Sequence, residues 1–117
     1  MATFAYNAAT GSRKWLAVYH GRRLSEQTQS VAASPDGALV YVTGTTPGFR
    51  SNSLNATTIA CRTATGMTSW AARYRGRRDF SGAASLAVGP TGQAVFITGF
   101  LGAHDGCCNF LTIAYQP

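Results

Sequence analysis

Acidic residues are scarce in this chain. Glu26, Asp36, Asp79 and Asp105 stand against nine arginines and one lysine, giving a formal net charge of +6 over 117 residues. Charged residues of both signs make up only 12% while hydrophobic residues make up 45%, which excludes a disordered polyelectrolyte. No apolar run approaches the roughly 18 to 20 residues of a membrane-spanning helix, so no membrane span is expected. The opening MATFAYNAATGSRK has neither a basic leader nor an apolar stretch before its first glycine, and so does not read as a signal peptide. The three cysteines have no CxxC or HxxxH companion, and structural zinc is not indicated. His20 and His104 have no nucleophile or acid at a recognisable triad spacing, and no glycine run is followed by the Lys-Ser of a phosphate loop. No catalytic residue, metal ligand or cofactor is therefore expected, and the chain reads as a non-enzyme.

What is abundant is Gly, Thr and Ala beside Val, Ile and Tyr, a composition that suits short strands joined by tight turns. The strands fall into phase. Ala5 to Trp15, AYNAATGSRKW, returns at Ala60 to Trp70 as ACRTATGMTSW, and the same 55-residue shift relates Tyr19 to Tyr74, Gly21 to Gly76, Pro35 to Pro90, Gly37 to Gly92 and Gly44 to Gly99. A period near 50 belongs among solenoids, arrays and propellers. Strands are predicted at 3–7, 14–20, 30–33 and 39–44. They recur at 57–62, 69–75, 84–89 and 94–99, with a last run FLTIAYQP from Phe110. Arg22 to Gln29, Thr45 to Asn55 and Phe100 to Asn109 read as connections, the first of them polar and irregular. The turns Ser34-Pro35-Asp36-Gly37 and Ala64-Thr65-Gly66 combine a fixed φ or a small side chain with a glycine that accepts positive φ.

Four short antiparallel strands per period match the arithmetic of a propeller blade, against the alternative of a continuous β-sandwich. The expected fold class is all-β, with four-stranded blades in two 55-residue repeats. One unit of 1–117 divides into the outer strands of a blade (1–28), a complete central blade (29–82) and a partial blade (83–117). Counting strands gives two, four and three, so the terminal sheets are incomplete. Self-association of copies into a closed propeller, or a longer parent chain, is the expected remedy.

The Ala…Thr-Gly…Trp pattern, carried by Ala5, Thr10, Gly11 and Trp15 and again by Ala60, Thr65, Gly66 and Trp70, resembles the quinoprotein-like β-propeller repeat family. The stretches SPDGALVYVTG and GPTGQAVFITG are similar to those of bacterial repeats of that type. The resemblance implies that Ala5, Gly11, Trp15, Ala60, Gly66 and Trp70 are structural docking residues, each Trp packing on a neighbouring blade. It also raises the alternative of a fragment of a quinoprotein-like dehydrogenase, in which Cys107 and Cys108 would be a vicinal disulfide. Four acids are few for such a cofactor site, and Asp36 suits a turn better.

In a blade the short turns share one face and the long connections the other. Arg22, Arg23, Phe49, Arg50, Arg77, Arg78 and Phe80 therefore map to one arginine-rich loop face, with the duplicated GRR at 21–23 and 76–78 as its signature. Arginine binds carboxylate and phosphate through a planar fork, so the expected ligand is an anionic glycan or an acidic protein surface. Nucleic acid is a weaker possibility, with Phe49 and Phe80 as stacking rings but no recognition helix. A neutral-sugar lectin would require exposed Trp15 and Trp70, and a merely solvated basic edge is the bland alternative.

Overall fold

The computed structural model describes residues 1–20, 26–50, 52–76, 80–102 and 108–116, and these form nine strands. β1 (Ala2–Tyr6) pairs with β2 (Arg13–Val18). β3 (Gln27–Ala33), β4 (Leu39–Pro47), β5 (Leu54–Arg62) and β6 (Thr68–Tyr74) form a central sheet in that order. β7 (Ser81–Val88), β8 (Val95–Gly102) and β9 (Cys108–Tyr115) form a third. Every strand ladder is antiparallel and joins strands adjacent in sequence, and one isolated parallel bridge links Leu54 to Phe80. No helix among the described residues is long and apolar enough to cross a membrane.

The core lies between the central and C-terminal sheets. Tyr41, Ala56 and Ala60 on one side meet Ala83, Val95, Ile97 and Leu111 on the other, with Trp70, Tyr74, Leu86, Ile113 and Tyr115 closing the margin. The alternation behind this is plain on β4 and β5. Tyr41 and Thr43 oppose Ala60 and Thr58 on the face toward β7–β9, while Val42 and Thr46 oppose Ile59 and Asn55 on the other face. Hydroxyls are tolerated in this interior because they bond each other. Thr43 and Thr58 share one hydrogen bond at 2.9 Å, and Thr46 and Thr57 another at 2.7 Å.

The N-terminal pair docks on the opposite face of the central sheet. Trp15, opposite Ala5 in the β1–β2 ladder, lays its ring on Gly66 and donates its indole N–H to the Thr63 carbonyl at 2.8 Å. Tyr19 receives a hydrogen bond from the Arg73 guanidinium, which also sits 5.4 Å above its ring. The Met1 ammonium donates to the Tyr19 carbonyl and pairs with the Glu26 carboxylate.

Local devices recur at the 55-residue shift. Bulges fall at Ala5/Tyr6 and Ala60/Cys61, and again at Thr28/Ser30 and Ala83/Ser85. Positive φ occurs at Gly11 and Gly66 and at Gly37 and Gly92. A Cβ at Gly44 would collide with the Gln27 carbonyl oxygen, and one at Gly99 with that of Gly82. The sheets holding these devices do not repeat, however.

The all-β class and the strand count of two, four and three agree with the sequence reading, but two equal four-stranded repeats and a closed propeller do not. The three sheets are open. Closure would need the outward faces of the first and last sheets to be covered, and instead Phe4, Tyr6, Leu16 and Val18 on one and Phe96 and Phe110 on the other are exposed. The stack is elongated, 50 × 32 × 20 Å, rather than annular. The expectation of self-association into a closed propeller is corrected on the same ground. Three connections are also shorter than predicted. β3 begins at Gln27, β4 and β5 extend through Thr45–Pro47 and Leu54–Asn55, and β8 and β9 extend through Gly102 and from Cys108. In the β4–β5 case the polar threonines misled: Thr45 and Thr46 are buried strand residues opposite Ala56 and Asn55, and the Thr46 hydroxyl pairs with that of Thr57.

Candidate functional site

The β4–β5 hairpin loop projects from one end of the central sheet. Gly48 N–H donates to the Ser53 carbonyl at 2.8 Å, closing the loop. Ser53, itself buried, returns its hydroxyl to the Arg50 carbonyl at 2.8 Å and accepts from the Arg50 N–H at 3.1 Å. Asn52 takes φ 63°, a left-handed conformation that asparagine tolerates. This frame holds Phe49 at the tip, 62% exposed.

Beside it, Arg73 near the end of β6 and Arg75 just past that end occupy alternate positions and so share one side, with Tyr74 on the opposite face in the core margin. Arg75 lies with its guanidinium carbon 5.8 Å from the centre of the Phe49 ring. Thr46, Pro47, Gly48, Phe49, Asn55, Arg73 and Arg75 line a cleft of about 130 Å³. None of these residues is acidic. Asn55 is 6% exposed, and its Oδ1 is closed off from solvent without a hydrogen-bond partner. Two ring-stacked arginines can present planar donor edges to a carboxylate, sulfate or phosphate, and stacking lowers the entropy lost on binding.

Of the residues expected to form the loop face, Arg22, Arg23, Arg77 and Arg78 lie outside the described residues. Phe49 is at the cleft. Arg50 is exposed and its main chain braces the loop. Phe80 goes elsewhere: its ring packs 5.5 Å from that of Phe100 and covers Gly102. Arg73, Arg75 and Asn55 were not anticipated. The signal for the arginines was the alternation in SWAARYR, which sends Trp70, Ala72 and Tyr74 one way and both arginines the other. Asn55 gave none, since it was assigned to a connection.

The six residues named for docking lie in turns and at facing strand positions. Ala5 and Ala60 lie directly opposite Trp15 and Trp70, Gly11 and Gly66 turn with positive φ, and both tryptophans are half-buried rather than enclosed. Neither ring is free on the surface in the way that sugar stacking would require. Trp70 lies between Tyr41 and Tyr115, at 5.9 and 6.0 Å between ring centres.

At the other end of the central sheet, Asp36 is spent on a turn. Its carboxylate accepts from the Ser34 hydroxyl at 2.5 Å and the Ala38 N–H at 3.0 Å, and these bonds hold its pKa below the usual value. Burial raises the Cys61 thiol above its ordinary pKa, which makes it a packing group rather than a nucleophile. Burial likewise raises the hydroxyls of Tyr41 and Tyr115. Cys61 and Cys108 are free thiols, and Cys107 lies outside the described residues. Among the described residues no three His, Cys, Asp or Glu side chains converge.

No protein-family model, no curated protein and no solved structure matches this chain. The resemblance to quinoprotein-like repeats therefore gains no support there, and the open, unequal sheets overturn it as a description of the fold. The dehydrogenase-fragment alternative loses its footing with it.

Proposed function

We propose that this chain is a non-catalytic binding module whose cleft beside the β4–β5 loop takes the acidic group of a hydroxyl-bearing ligand, of the acidic-glycan class. The observation that carries the reading is the convergence of Arg73, Arg75 and Phe49 on one cleft with no acid in its lining. The arginines supply bidentate, charge-assisted hydrogen bonds to a carboxylate or sulfate. The exposed Phe49 ring offers an apolar surface to the C–H face of a sugar.

The test is an NMR titration of the labelled protein with acidic oligosaccharides, their neutral parents and an oligonucleotide. Shifts at the Arg73 and Arg75 side-chain Nε–H groups and at the Asn55 side-chain amide are expected with acidic sugars alone. Equal response to the neutral parent would contradict the role of the arginines, and preferential response to the oligonucleotide would move the ligand class to nucleic acid. Salt should weaken the interaction, since the cleft is partly open to solvent.

A further inference from the structure

Arg73 belongs to two places at once. It lines the cleft beside the β4–β5 loop, and its guanidinium also donates to the Tyr19 hydroxyl, with the guanidinium carbon 5.4 Å from the centre of the Tyr19 ring. Tyr19 lies outside the residues that line the cleft. It follows β2 directly and is tied into the N-terminal pair by its main-chain N–H, which donates to the Met1 carbonyl at 2.8 Å. Its side faces the seam between that pair and the central sheet, shared with Ala17, Val42, Ile59 and Cys61.

The pair is thus held on the central sheet at two separated points. Near the start of β2 the Trp15 ring rests on Gly66 and its N–H bonds the Thr63 carbonyl, and past the end of β2 Tyr19 meets Arg73. In extended chain these points are about 13 Å apart. Both contacts are made or lost with docking, but only the second touches the cleft.

Arg73 is exposed, and an arginine left to itself there samples many rotamers from which an anion has to select one. Tyr19 removes much of that freedom, because its ring sets the plane of the guanidinium and its hydroxyl fixes one end. The bond uses one of the five guanidinium N–H donors, and a bidentate contact to an oxyanion takes two. The hydroxyl therefore orients the fork without filling it.

We propose that Tyr19 is a positioning residue for the anion cleft and that, through it, docking of the β1–β2 pair and binding of the acidic group strengthen each other, an inference that rests on the cleft being the acidic-group site. With the pair docked, Arg73 is held ready for the anion. With the pair lifted off, Arg73 reverts to a mobile side chain and the cleft loses affinity. Linkage makes the effect reciprocal: the factor that undocking costs the anion is the factor by which bound anion favours docking. The N-terminal pair is a sheet of its own among the described residues, joined to the central sheet by side chains rather than by a ladder, and so is the element free to respond.

The test is calorimetric binding of a sulfated disaccharide to the native protein, to Tyr19→Phe and Tyr19→Ala, and to the same two changes made in Arg73→Ala. Tyr19→Phe keeps the ring and loses the hydroxyl, and should weaken binding about threefold, whereas Tyr19→Ala loses both and should weaken it about tenfold. In the Arg73→Ala background neither change should weaken binding further, which a general loosening of the fold would do. Hydrogen exchange at the Trp15 indole N–H reads docking at the other point of attachment. Saturating disaccharide should slow that exchange about tenfold in the native protein and leave it unchanged in Arg73→Ala, with the Trp70 indole as reference. Native affinity in Tyr19→Ala, equal losses in both backgrounds, or Trp15 exchange that holds steady or quickens with disaccharide bound would overturn the proposal while leaving the cleft in place. A native protein that takes no disaccharide would remove the cleft reading, and this proposal with it.

Discussion

At the scale of single residues, the most informative contrast is between two glycines of equal backbone and unequal surroundings. Gly11 and Gly66 have φ of +70° and +75°, but a Cβ at Gly11 meets nothing within 4 Å whereas one at Gly66 meets the Trp15 ring. Gly11→Ala should therefore cost only the left-handed penalty, about 1 kcal/mol. Gly66→Ala adds a packing clash, for a total of about 2–4 kcal/mol by urea denaturation. Equal losses would mean that Trp15 does not rest on the turn. A second contrast concerns the buried hydroxyls. Thr57→Val strands the Thr46 hydroxyl and should cost about 1–3 kcal/mol, while Thr46→Val with Thr57→Val should recover most of that loss. Asp36 sets a pH dependence. Its folded pKa is depressed by the Ser34 hydroxyl and the Ala38 N–H, so its contribution is present above the unfolded value near 3.8 and is lost as pH falls through the lower folded value. A carboxyl titration followed by NMR should place Asp36 below that value, and Ser34→Ala should return it upward.

At the scale of elements, the sequence was most legible where chemistry and periodicity agree. Leu39 to Gly44 is a continuous run of strand-forming residues buried on both faces within β4, and the Ser-Pro-Asp-Gly turn forms with Asp36 bonded to its own loop. It was least legible where polar side chains are buried. Thr45, Thr46 and Asn55 read as connection because their composition is that of a loop, yet cross-strand partners carry them into the sheet interior. The same misreading concealed the cleft, which depends on Asn55 being a strand residue and on the end of β6 placing Arg73, and Arg75 just beyond it, at its side. Composition drew attention to the arginines of the duplicated GRR runs rather than to this pair. Because the Arg73 guanidinium also bonds Tyr19, Arg73→Ala should both weaken anion binding and loosen the N-terminal pair. Arg75→Ala should weaken binding while leaving the Tyr19 contact in place, and amide shifts in the β1–β2 pair separate the two variants.

At the scale of the whole molecule, the 55-residue phase governs turns and bulges without producing equal sheets. Strand number per sheet depends on where along the period a chain is read, so the phase predicted the two, four and three strands. Closure is a separate matter, which needs complementary covered faces, and the outward faces carrying Phe4, Leu16 and Phe110 are exposed. What the arrangement does provide is an arginine-lined cleft at one end of the rigid central sheet. The measurement that tests this most directly is calorimetric binding of a sulfated oligosaccharide to the native protein, to Arg75→Ala, and to Arg62→Ala, which removes an exposed arginine outside the cleft. Loss of the charge-assisted bonds should weaken the Arg75→Ala complex about 10- to 100-fold and flatten its salt dependence, with Arg62→Ala close to native. Equal weakening by both variants, or binding indifferent to Arg75, would contradict the account.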